Sequence, residues 1–219
     1  MIFAPGIFPL WLLLSGSLIA ALGLGIALLK APWHLIRHHS ERQHLVFGVS
    51  ILLGLFWLLR VDALGMLSFH PLLLTAVTLI VGWHFAMLAG AVGQLVLLAA
   101  GFDHLSMIGV NYLLTTLIPA TLSYGVLLVS QRVPLRNPFV FLTGVGFLGA
   151  ALCSGVVAIA TLALLLLAGH DLSFDEISRE APILFILMFP EGFINGTLVT
   201  AMTVFKPHLV KTFNEDWYE

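Results

Sequence analysis

The stretch FHPLLLTAVTLIVGWHFAMLAGAVGQLVLLAAG, Phe69 to Gly101, holds no Asp, Glu, Lys or Arg, and its reading decides the fold. As one helix it would rise about 50 Å, against roughly 30 Å of hydrocarbon in a bilayer. As two short helices broken near Gly82-Trp83 it fits, provided surrounding protein shields the backbone at the turn.

Five further stretches flank it as simpler spans: Pro9 to Leu29, His44 to Leu59, Ser106 to Val129, Pro138 to Ala168 and Pro182 to Phe205. The composition agrees with lipid as the solvent. Hydrophobic residues make up 60% of the 219 and charged residues 9%, and the mean hydropathy is +1.07. A soluble domain carries about a quarter charged residues. The net charge of −2 and the lack of a basic run give nucleic acid no footing. The one cysteine, Cys153, lies in an apolar run and excludes an internal disulfide. The first apolar stretch has no basic residue before it and reads as a mature helix rather than a leader.

Charge separates six spans from seven. With seven spans and the N-terminus outside, the inner loops hold Lys30, Arg37, Arg42, Arg132, Arg136, Lys206 and Lys211, leaving only Arg60 and Arg179 outside. With six, Arg132, Arg136, Lys206 and Lys211 move outside. The positive-inside bias favours seven. The expectation is an all-α, polytopic helical bundle, one transmembrane domain over residues 1–219, in the bacterial inner membrane with lipid around it. Glycines and alanines at Gly90/Gly93 and Gly144/Gly146/Gly149/Ala150 suit close helix approach.

Polar groups at membrane depth are costly and therefore informative. Glu191 stands ten residues into the last stretch, flanked by Pro190, Gly192 and Asn195. It reads either as a hydrogen-bonded carboxyl fixing a kink, or as a group beside a site or conduction path. Asn111 and Gln94 read as hydrogen bonders between helices. His34, His38, His39 and His44 cluster in the first inner loop. Their spacing matches one histidine box of membrane di-iron enzymes, but such a site needs several boxes, so a headgroup-facing loop fits better. His70 and His104 fall at the outer face, and His84 with His208 at the inner. No HExxH, GxSxG, CxxC or phosphate-cradling loop is present, so no enzyme is expected and none that hydrolyses ATP.

Several motifs in order resemble the substrate-specific membrane components of energy-coupling-factor cobalt and nickel transporters, the CbiM/NikM type. Glu41-Arg-Gln43 followed by Val46-Phe-Gly48 resembles the segment opening the family's second helix. Phe69-His70 is similar to its outer histidine element. Gly109-Val-Asn111, Pro119 and Ser123-Tyr124 resemble its fifth helix, and Pro190-Glu191-Gly192 its last. The resemblance implies an outside N-terminus folded back into the bundle. It also implies a metal held by the terminal amine, the amide and imidazole of a histidine at position two, and the outer histidine. Here Met1 matches the amine and His70 the last ligand, while Ile2 stands where the family has histidine. A nitrogen-rich site suits Ni(II) or Cu(II), and losing a ligand weakens it or changes the metal. The implied function is permease-type uptake of cobalt, nickel or another small solute from the outer face inward, energised by a transmembrane coupling protein and ATPase subunits. A non-transporting scaffold or assembly factor of the same fold is the alternative.

Overall fold

The structure, a computed structural model, describes residues 2–63, 67–132, 137–170, 182 and 186–214. Its helices are α1 (Leu10–Lys30), the short α2 (Trp33–Arg37), α3 (Ser40–Trp57), α4 (Leu74–Val81) and α5 (Trp83–Ala99). They continue with α6 (Ile108–Ser130) and α7 (Val140–Leu167), then α8 (Met188–Phe205). Among the described residues, α1, α6 and α7 are the helices long and apolar enough to cross a membrane by themselves.

The chain does break at Gly82. Its φ of +87° and ψ of 159° lie outside the space of residues carrying a Cβ, so glycine is the residue that can separate α4 from α5 there. Helix α4 is thus 8 residues long, about 12 Å, and all of it is buried. A half-helix in an apolar bundle must have its end groups satisfied by neighbours. At its C-terminal end the tail returns beneath it. Lys211 N–H donates to the Ile80 carbonyl at 2.8 Å, and Thr212 donates to Leu79 O from its backbone N–H at 3.3 Å and its hydroxyl at 2.7 Å.

Neighbouring contacts fix the chain directions. Gly16 and Gly23 of α1 face Val110 and Leu117 of α6, so these two helices run parallel. Trp83 bonds Thr121 and Gln94 lies 3.3 Å from the Thr115 hydroxyl, so α5 opposes α6. Ser123 approaches Cys153 at 3.5 Å while Val126 meets Gly149, so α7 opposes α6. Met188 meets Gly155 and Gly196 meets Phe147, so α8 opposes α7. Helices α1 and α6 also come close at Gly109 on Ser17, where an added Cβ would lie 2.5 Å from the backbone Cα. Hydroxyls inside the helices mostly bond back to the preceding turn, as Ser50 does to Val46 O and Thr161 to Val157 O.

Helix α6 carries a π-helical turn at Leu113–Leu117. Pro119 follows two residues later; it lacks an N–H and its ring would clash with the carbonyl four residues back, so the widened turn accommodates it.

The described chain is mostly helical, as the all-α reading expects, and beside the helices lies a small three-stranded antiparallel sheet, β1 (Ile2–Phe3), β2 (Val61–Ala63) and β3 (Leu67–Phe69), with β3 central. Strands of two or three residues are too short to show an alternating pattern. Part of the last stretch, residues 183–185, lies outside the described residues; in the continuous described helix from Met188, Pro190 and Glu191 stand in the first turn. Proline is tolerated there because that N–H has no intrahelical partner.

Candidate functional site

At the sheet end of the bundle the N-terminal strand lies against β3. Ile2 is opposite Ser68 and Phe3 opposite Leu67, which brings the start of the chain within two residues of His70 along the strand. Met1 lies outside the described residues. Successive strand side chains point to opposite faces. Ile2 accordingly packs into the cluster containing Trp57 and Leu73, and Phe3 into the one with Phe8, Phe69 and Leu72.

Phe3 is tied down by a side chain distant in sequence. Its backbone N–H donates to Asn111 Oδ1 at 3.0 Å, and Asn111 Nδ2 donates to Asp103 Oδ1 at 2.7 Å. The other oxygen of Asp103 accepts a very short hydrogen bond from Gln94, and Oδ1 also accepts the His104 backbone N–H at 2.7 Å. Asn111, Gln94 and Asp103 are all buried. Asn111 thus links α6 to the N-terminal strand and to the α5–α6 connection. Asp103, in the connection between α5 and α6, is the hub of this network. Nothing in its neighbourhood distinguishes it from Asp62, because its partners come from two other segments.

His70 is 7% exposed, and its ring lies 4.8 Å from that of Trp57, tilted by 40°. Its Nδ1 is 3.2 Å from the Pro71 carbonyl oxygen. A carbonyl only accepts, so that bond needs the proton on Nδ1 and leaves the neutral ring's lone pair on Nε2, the nitrogen a metal would take. Trp57 is fully buried and donates from Nε1 to the Leu72 carbonyl at 3.1 Å. One side chain therefore both flanks the imidazole and holds the backbone two residues after it.

The other side of this turn is held from α8. Leu73 has φ of +58° and precedes α4. The Leu72 N–H donates to Glu191 Oε2 at 2.9 Å and the Leu73 N–H to Oε1 at 2.7 Å. Asn195 donates to that same Oε1 at 2.7 Å, while its own Oδ1 accepts the Ala76 N–H at 2.7 Å. Glu191 and Asn195 therefore cap α4 from a different helix. A carboxylate there satisfies orphan donors and opposes the positive end of the helix dipole. The carboxyl fixes a neighbouring half-helix rather than a kink of its own.

Of the other histidines, His170 lies with Nε2 2.9 Å from the Ile7 carbonyl oxygen of the N-terminal segment, and His84, His104 and His208 do not join this site. His84 opens α5 at the opposite end, His208 pairs with Glu41 at 3.3 Å, and His104 contributes its backbone to Asp103. Among the described residues no three His, Cys, Asp or Glu side chains converge as a metal site. That holds for His34, His38, His39 and His44 too.

The model of the cobalt uptake substrate-specific transmembrane region, CbiM, matches residues 3–209. The chain belongs to the CbiM family. The family is one of transporter components rather than enzymes, so this protein is a membrane component of cobalt uptake. Among curated proteins, none matches it.

Proposed function

We propose that this CbiM-family protein binds a divalent ion, cobalt or nickel, at its outer face and passes it inward. The ligands are the Met1 amine, the Ile2 backbone amide and the His70 imidazole. The observation that carries this reading is the pairing of β1 with β3, which sets Ile2 beside the strand leading into His70. Three nitrogens, without the second imidazole that a histidine at position two would add, make a weaker chelate than the family's pattern. Energy comes from outside the chain, which has no phosphate-cradling loop; a transmembrane coupling protein and ATPase subunits supply it.

Cobalt(II) should raise the thermal midpoint of the purified protein in proportion to the logarithm of its concentration once binding saturates. The rise should vanish in His70→Ala and in protein with an acetylated N-terminus. Equal stabilisation of all three would place the ion elsewhere and overturn the reading.

We also read the protein as crossing the inner membrane seven times with its N-terminus outside. The alternation of chain direction supports this, since α1, α6 and α8 run one way and α5 and α7 the other. Cysteines placed at His84 and His104, in protein with Cys153→Ser, should label from opposite sides of the membrane. Labelling of both from one side would return the six-span arrangement.

A further inference from the structure

The end of the bundle away from the sheet gathers cations that the metal site does not use. Arg42 at the start of α3 and Lys211 in the tail line one crevice, whose walls are Leu35, Ile36, Leu45, Val46, Ile80 and Phe85, among others. Lys211 lies along Gly82, at the carbonyl end of α4, and its Nζ is 5.8 Å from the centre of the Phe85 ring. Arg42 donates to the His208 carbonyl at 2.9 Å, a neutral partner.

Among the described residues no acid balances them. Glu41 is the acidic side chain described at this end, and it is taken by His208. The other two described, Asp103 and Glu191, belong to the networks at the sheet end. The further titratable groups linked to Lys211 at this end are His84 and Lys30, both basic. Burial first, and then Arg42, lower the pKa of Lys211.

We propose that the mouth of this crevice, whose interior of about 20 Å³ is too small for a lipid chain, binds the phosphodiester of an anionic phospholipid between Arg42 and Lys211, with the acyl chains in the surrounding bilayer. A lipid suits the place better than a soluble anion, because the walls below the two cations are hydrocarbon. Trp33 on α2 is partly exposed beside it, with its indole N–H on the Leu28 carbonyl, and amphipathic rings of this kind sit at headgroup level. Anionic leaflets attract basic groups at the membrane surface. The inference is independent of the metal ligands and rests only on this end of the bundle meeting the inner leaflet.

The test is the thermal midpoint of the purified full chain in neutral detergent, with phosphatidylglycerol or phosphatidylcholine added to equal mole fraction. Phosphatidylglycerol should raise the midpoint by about 3–6 °C, and phosphatidylcholine should not. The rise should be lost in Lys211→Gln, reduced in Arg42→Gln, kept in Lys211→Arg, and unchanged in Lys206→Gln, an exposed lysine nearby. If Lys211→Gln does not fold, the pairing of Arg42→Gln with Lys211→Arg decides. Equal response to both lipids, or an equal loss in Lys206→Gln, would overturn the site. An equal rise with inorganic phosphate would overturn the lipid as occupant. So would a response to phosphatidylglycerol that appears only once residues 215–219, with their acids, are removed.

Discussion

Glu191→Leu is expected to cost the protein most of its folded yield, whereas Glu191→Gln keeps it folded with a lowered thermal midpoint. The two oxygens of Glu191 accept three hydrogen bonds, from Leu72 N–H, Leu73 N–H and Asn195 Nδ2. Leucine matches the volume but accepts none of them. Each buried donor left without a partner costs about 1–3 kcal/mol, so the loss approaches the 5–15 kcal/mol that typically holds a whole domain together. Glutamine retains one accepting oxygen. Turned toward Leu73 and Asn195, it satisfies both and leaves the Leu72 N–H facing an amide nitrogen, a loss of about one donor. Yield in detergent and thermal midpoint measured side by side separate these outcomes. A leucine variant with the natural yield and midpoint would remove any role for the carboxyl. Since Leu72 and Leu73 follow His70 after a single proline, glutamine should also weaken cobalt binding.

This reach of Glu191 across the bundle shows what the sequence could and could not supply. The helices were legible because lipid demands long apolar runs, and the break was legible because a 50 Å helix has nowhere to go and Gly82 offers the exit. Glu191 and Asn111 could be singled out because polar groups at such depth must have partners. Their partners were not legible. Glu191 meets Leu72 over a separation of 119 residues and Asn111 meets Phe3 over 108; both partners are backbone N–H groups, which every residue but proline carries. Trp57 stayed hidden for a related reason. An aromatic near a helix end reads as an interfacial anchor, whereas this one is sealed between His70 and the turn behind it. The sheet escaped notice because its pairing is long-range and its strands are short.

Co(II) and Ni(II) binding is expected to be weak or absent in the natural protein and to be gained on Ile2→His. Ile2 is 3% exposed and packs in the same cluster as Trp57, against whose ring His70 lies. An imidazole at position two therefore enters the space beside the first, in a side chain of similar bulk. The added nitrogen closes a four-nitrogen set of the kind that favours Ni(II). Loss of even an outer-shell partner lowers metal affinity about 10–100-fold, so gaining a direct ligand should raise it by at least that factor. Ile2→His combined with His70→Ala should lose the gain, because the completed set needs both rings. The comparison is a calorimetric titration of the natural protein and the two variants, each with an unblocked N-terminus. Tight nickel binding by the natural protein that survives His70→Ala would move the site away from the β1–β3 end. No gain on Ile2→His would mean that the pocket has lost metal binding altogether, and a scaffold built on the same fold would then account for the protein better than a transporter component.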